Sequence, residues 1–328
     1  MDVRKIAQLT GHQAAVFAVS EGRTPQHIIS GAGEGWVVEW DLAKPDVGRL
    51  LAKVERNIFS LQLLQHQNRI VVGDMDGGVR FVDLDNPQQT LNIKHHSKGC
   101  FDIRLWNNQL FTIGGEGTIT RWSVEESRSL ESLQLSAKSL RSIDLCVEKR
   151  EIVIGASDGN VYFLDIDTFE VKKTLKTAHN NSVFAARYTP DGRHLLTGGR
   201  DAFLKLWHTS TQENTPIFAA PAHLFTLNSI VFHPRNPTVF ATASRDRTVK
   251  IWQLEGLNLE QDKEKISLVH SEKDNFNKLL PSVKLLKVVD TIRLGCHIRS
   301  VNRLHWSPFE DYLVSVSDDR SLMIWAMD

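Results

Sequence analysis

The sequence predicts an all-β chain made of seven repeated four-stranded units, and three observations carry that prediction. A phrase running from an acidic residue through alternating apolar residues to Trp recurs along the chain. Two strand-like runs separated by turn residues precede it. The leading acids, Glu34, Asp76, Glu116, Asp158, Asp201, Asp246 and Asp319, are spaced 42, 40, 42, 43, 45 and 73 residues apart. Short apolar runs with regular turn signals between them mean antiparallel structure.

The elements follow in order. Residues 3–9, VRKIAQL, form a strand ahead of the first unit. Unit one has the run AVFAVS, the run HIISG and the acid-to-Trp strand EGWVVEWD at 34–41. Unit two carries the degenerate copy DGGVRFVD at 76–83, unit three EGTITRWS at 116–123, and unit four the degenerate DGNVYFLD at 158–165. Unit five shows SVFAARY, the turn YTPDGR at 188–193, HLLTG and DAFLKLWH at 201–208. Unit six has the turn FHPRNP at 232–237, VFATA and DRTVKIWQ at 246–253. Unit seven has SVNRLHW, WSPFED at 306–311, YLVSV and DRSLMIWA at 319–326. The one long spacing marks a charged insertion at 254–283. Strand order puts it between the third and fourth strands of unit six. It is expected to be a surface insertion, because loops accept length cheaply.

Four strands per unit at this period describe a propeller blade. The repeats resemble the WD-repeat family, on Thr10-Gly11-His12, on Trp40-Asp41 and on the register of the seven units. The resemblance implies a single seven-bladed β-propeller domain over 1–328. In it the N-terminal strand completes the last blade and removes both exposed sheet edges. No separate domain is expected at either end.

Four residues share fixed offsets in five units. They are His12, Ser30, Glu34 and Trp40; His96, Thr112, Glu116 and Trp122; His179, Thr197, Asp201 and Trp207; His223, Thr242, Asp246 and Trp252; and His297, Ser315, Asp319 and Trp325. Units two and four lose the His, the hydroxyl and the Trp together. Such joint loss fits a buried network that is favourable only when every member is satisfied. The set therefore reads as a structural hydrogen-bond relay and not as five catalytic triads. Gly155-Ala156-Ser157-Asp158-Gly159 matches a nucleophile elbow, but that motif needs a following helix, and VYFLDI continues as a strand.

Lys+Arg and Asp+Glu are both 39, so no large basic surface for nucleic acid is expected. Three cysteines without a CxxC pair fit a reducing, cytoplasmic setting. No apolar leader or stretch of membrane-spanning length is present. The inner-strand positions six and eight after the His gather no ring of His or carboxylates, so no catalytic group, metal or cofactor is expected. Five after the His stand Phe17, Phe59, Phe101, Arg141, Phe184, Asn228 and Asn302. The family resemblance places this position at the channel mouth, where partner peptides are contacted; the alternative is that the Phe side chains wedge between blades. Arg200 and Arg245, just before their units' acids, are expected to flank the mouth. The chain is thus expected to be a monomeric, non-catalytic scaffold binding a protein or peptide on the His-loop face. The alternative is an enzyme or small-ligand binder using the central channel, which requires polar groups converging there.

Overall fold

Each unit's first run becomes the inner strand of a four-stranded antiparallel sheet; in six sheets three more strands follow outward in chain order, and in the seventh two follow and the chain's first strand is outermost. The computed structural model describes residues 1–210, 214–256 and 282–327. The inner strands are Val16–Glu21, Ile58–Leu64, Cys100–Trp106, Leu140–Cys146, Val183–Tyr188, Leu227–Phe232 and Val301–Trp306. Each contacts the inner strand of the next sheet, and the last contacts the first, giving a closed seven-bladed β-propeller. The core is divided among blade interfaces and not gathered at one centre. Between the last blade and the first, for example, Leu9, Val16, Ile28, Trp40, Val316 and Ile324 pack together.

Ring closure comes from the first strand. Val3–Leu9 pairs with Leu322–Met327, from Val3 opposite Met327 to Leu9 opposite Leu322. Its two end residues, Val3 and Leu9, are buried. In the sixth blade the third strand is Val249–Glu255 and the outer strand Ser282–Val289. Their ladder extends to Leu254 opposite Val283 and Glu255 opposite Ser282. These four residues, expected within the insertion, are therefore strand residues, because Leu254 is buried in an apolar cluster that Val283 packs against. Apart from Gly256, the rest of the insertion lies outside the described residues.

One irregularity is common to all seven inner strands. Val16 faces Ala32 and Ala18 faces Gly31, so Phe17 has no partner in the ladder. The same skip falls at Phe59, Phe101, Arg141, Phe184, Asn228 and Asn302. A bulge re-aims the side chain that it carries. Here it lets residues on both sides of the skipped position, such as Val16 and Ala18, be buried together.

Candidate functional site

In the five complete units the relay has one geometry. The His Nδ1 lies 2.5 and 2.6 Å from Glu34 and Glu116, and 2.9 Å from Asp201, Asp246 and Asp319. The His Nε2 lies 2.8–2.9 Å from the hydroxyl of Ser30, Thr112, Thr197, Thr242 or Ser315. The Trp indole N–H donates to the same hydroxyl at 2.8–2.9 Å. Chemistry fixes the direction of the chain. An indole can only donate, so the hydroxyl oxygen accepts from it, and opposite a neutral imidazole it gives its own proton to Nε2. Nδ1 therefore carries the ring proton and donates it to the carboxylate. Burial works against the charged carboxylates, yet the histidine bonds outweigh it. Glu116, Asp201 and Asp246 are held below their ordinary range, and Asp319 at about 2.

Units two and four substitute other networks. Asp74, buried at the end of its strand, accepts the backbone N–H of Gly78 at 2.8 Å and Arg80 Nε at 2.9 Å. It anchors this turn in place of Asp76, which is exposed and pairs with Arg56 at 2.6 Å. In unit four Ser136 stands at the His position and donates to Asp158 at 2.7 Å, as Tyr162 does at 2.6 Å.

Two stability predictions arise here. Thr197→Val should destabilise by about 1–3 kcal/mol, because it strands the His179 and Trp207 nitrogens. Adding Asp201→Asn should then cost less than the sum of the two single changes in a urea-unfolding cycle. The second concerns acid. Burial lowers His223, pushes His305 down to about 4, and with nearby His208 pushes His194 to about 4. Both His194 nitrogens are buried without a hydrogen bond. These rings stay neutral in the native state while the unfolded chain takes up protons. Their contribution is therefore complete above about pH 6.5 and is lost as pH falls toward 4, by at most roughly 1.4 kcal/mol per pH unit for each ring. The urea midpoint should be level from pH 8 to 7 and fall from pH 6.5 downward.

At the channel mouth the bulged residues meet. All seven are half-buried, and they line a cavity of about 310 Å³. Phe59 lies 5.3 Å edge-on to Phe17 and 5.5 Å stacked on Phe101. The Arg141 guanidinium sits 4.4 Å over the Phe101 ring and 5.3 Å over Phe184. On the other side, Asn228 donates to Val301 O at 2.8 Å, and Asn302 to Val16 O at 2.9 Å. The ring side chains thus touch across blade boundaries and still line open space. Arg200 and Arg245 are exposed and do not line this cavity.

The inner-strand reading missed two features. Leu224, Phe225 and Ile298 are 85%, 59% and 65% exposed in the loops just after His223 and His297. Other units carry polar residues directly after the His, namely Gln13, Ser97 and Asn180, so apolar side chains there were the available signal. The second feature lies deeper in the channel. No polar ring was expected there, but Arg104, Arg187 and Arg303 gather around buried Asp102. Arg104 approaches it at 3.0 Å, Arg303 at 3.4 Å and Arg187 at 3.7 Å. The group escapes a comparison of equivalent positions because it mixes two depths and three blades. Among the described residues, no three His, Cys, Asp or Glu side chains are grouped to hold a metal.

Comparison with known proteins agrees with this architecture. Residues 169–208, 214–253 and 287–326 match the family described as "WD domain, G-beta repeat". Autophagy-related protein 16 of Arabidopsis thaliana is 27% identical over 299 residues, which cover 85% of this chain and 57% of that protein. Actin-interacting protein 1 of Drosophila melanogaster is 28% identical over 197 residues, 58% of this chain and 32% of that protein. The chain thus spans little more than half of the first relative and a third of the second. The crystal structure of the WD40 β-propeller domain of Doa1 aligns with a TM-score of 0.78, covering 100% of this chain and 97% of that one at 16% identity, a likeness of fold. Three of the seven units thus match the WD-repeat model, and the chain is a closed seven-bladed β-propeller that carries WD repeats.

Proposed function

We propose that this propeller is a non-catalytic scaffold that binds a partner protein or peptide on its His-loop face, with Phe17, Phe59, Phe101 and Phe184 at the centre of the contact. The observation that carries this reading is the bulged ring. Seven skipped residues present their side chains at one channel end, and four of them are Phe. Aromatic side chains lose little entropy on being ordered and offer a large apolar face, which is why they dominate interface hot spots. Exposed Leu224, Phe225 and Ile298 add apolar surface in the neighbouring loops. Arg141, Asn228 and Asn302 supply polar contacts at the rim, and Arg200 and Arg245 stand outside it. One relative, actin-interacting protein 1, is named for a protein partner of its own. The same reading makes the chain a cytoplasmic monomer that acts without nucleic acid, membrane or cofactor.

Phe59→Ala tests it. A partner captured by the wild-type chain and then purified should bind the variant with a loss of about 2 kcal/mol, roughly thirtyfold. Fold stability should fall by no more than about 1.5 kcal/mol per lost aromatic pair. A stability loss of 3–5 kcal/mol with unchanged binding would make Phe59 a wedge between blades and remove it from the site.

A further inference from the structure

Below the mouth the channel holds a second cavity, of about 220 Å³. Inner strands start at the His-loop face, so residues later in each strand lie deeper. Arg104, Arg187, Arg303, Asp102 and His305 all line this space. Arg303 lines the mouth cavity as well, so it is the cation shared by the two spaces. Two carboxylates lie against the guanidiniums: Asp102, which lines the cavity, and Asp144, which does not line it and lies 3.9 Å from Arg104. Asp144 also accepts the Tyr188 backbone N–H at 3.0 Å. Glu21 lines the cavity too, but its side chain is exposed. Arg303 and Arg187 reach Asp102 only at 3.4 and 3.7 Å. A full charge-assisted bond is shorter, about 2.7–2.9 Å. Their remaining bonds go to backbone carbonyls: Phe101 O for Arg303, and Ile143 O and Ala186 O for Arg187. Three guanidiniums therefore face two carboxylates, which leaves one positive charge in excess. His305 lines the same wall, and its ring makes no hydrogen bond within the described residues.

We propose that this cavity binds a small free oxyanion of the phosphate or polycarboxylate class, held by Arg104, Arg187 and Arg303 with His305 beside it. The guanidinium fork suits both ligand groups, since each presents paired oxygens to paired N–H donors. The site adjoins the mouth through Arg303, but the proposal does not depend on peptide binding there.

The experiment uses the full chain with sodium pyrophosphate and with citrate, at constant ionic strength set by chloride. Calorimetric titration and thermal unfolding are the readouts. Saturable heat and a rise in melting temperature are expected for at least one anion, and the anion that binds identifies the class. Arg303→Gln and Arg104→Gln should each weaken binding by about tenfold, the loss of one charged hydrogen bond. Arg104 is the more exposed of the two, so its variant remains informative if Arg303→Gln does not fold. Phe59→Ala should leave anion affinity within about twofold, which keeps this result separate from any failure at the mouth. Absence of saturable binding by either anion, or unchanged affinity in the arginine variants, would show that the cluster only braces the channel and would overturn the proposal.

Discussion

Deleting residues 1–9 is expected to leave no stable folded monomer. The first strand supplies the outer ladder of the seventh blade and the buried side chains of Val3 and Leu9. These belong to two separate apolar clusters, one on each side of that blade. Burying each side chain is worth roughly 1.5–3 kcal/mol, and each lost ladder bond about 0.5–1.5 kcal/mol net. The total approaches the whole stability of an ordinary domain, about 5–15 kcal/mol. Removal also exposes the Leu322–Met327 edge, a ready template for pairing with another chain. Thermal unfolding and size-exclusion chromatography should show a lost transition and aggregates. A synthetic peptide of residues 1–9 should restore part of the transition, in proportion to its concentration. A truncated chain that melts like the intact one would refute the energetic weight given to this strand.

Asp102→Asn should cause the second large loss, about 3–5 kcal/mol, the range for removing one member of a buried ion group. Burial by itself would raise the Asp102 pKa. The guanidiniums of Arg104, Arg303 and Arg187 overcome it and hold the group at about 2. Its folded pKa lies below the unfolded value near 3.9, so this stabilisation is complete above about pH 4 and disappears as pH falls through 2. Asn keeps the size of the side chain and can still accept the Ile143 backbone N–H, which Asp102 takes at 3.3 Å. The loss therefore reports charge and not shape. Adding Arg104→Gln to Asp102→Asn should recover part of it, because one unpaired cation is removed. Full additivity of the two changes in urea unfolding would show that the charges are not coupled.

How much of this was legible in advance depended on whether a feature repeats within the chain. Blade number, closure and the relay offsets could be read because the chain supplies its own comparison: His179, Thr197, Asp201 and Trp207 recur at nearly the same spacing in four other units. Departures from the repeat were harder to see. In unit two the buried acid is Asp74, two residues before the position that the repeat marks, and its partner Arg80 stands where units five and six have Lys205 and Lys250, which bond backbone carbonyls instead. The bulge at Phe17 and its equivalents is a fact of strand register, which alternation alone does not reveal. The Asp102 cluster joins non-adjacent blades across the channel, where sequence distance carries no information. The edges of the insertion moved because Leu254 and Val283 gain more by packing than by leaving the sheet.

The pairing of Val3 with Met327 also governs how such a ring comes to be built. Neighbouring blades rest on contacts local in sequence, so they can assemble one after another along the growing chain. The seventh sheet differs, because its outermost strand is made first and its other three last. Until synthesis passes Met327, the opening segment has no partner, and joining the ends then requires closing a loop nearly as long as the chain. The entropic cost of such a loop grows only logarithmically with length, so the step is thermodynamically modest. It is still late, and non-local pairing of this kind is slow. A partly made ring shows unpaired strand edges throughout that interval. In the cell the exposure of this fold to misassembly is therefore concentrated in the time between synthesis of the first blade and arrival of the last strand.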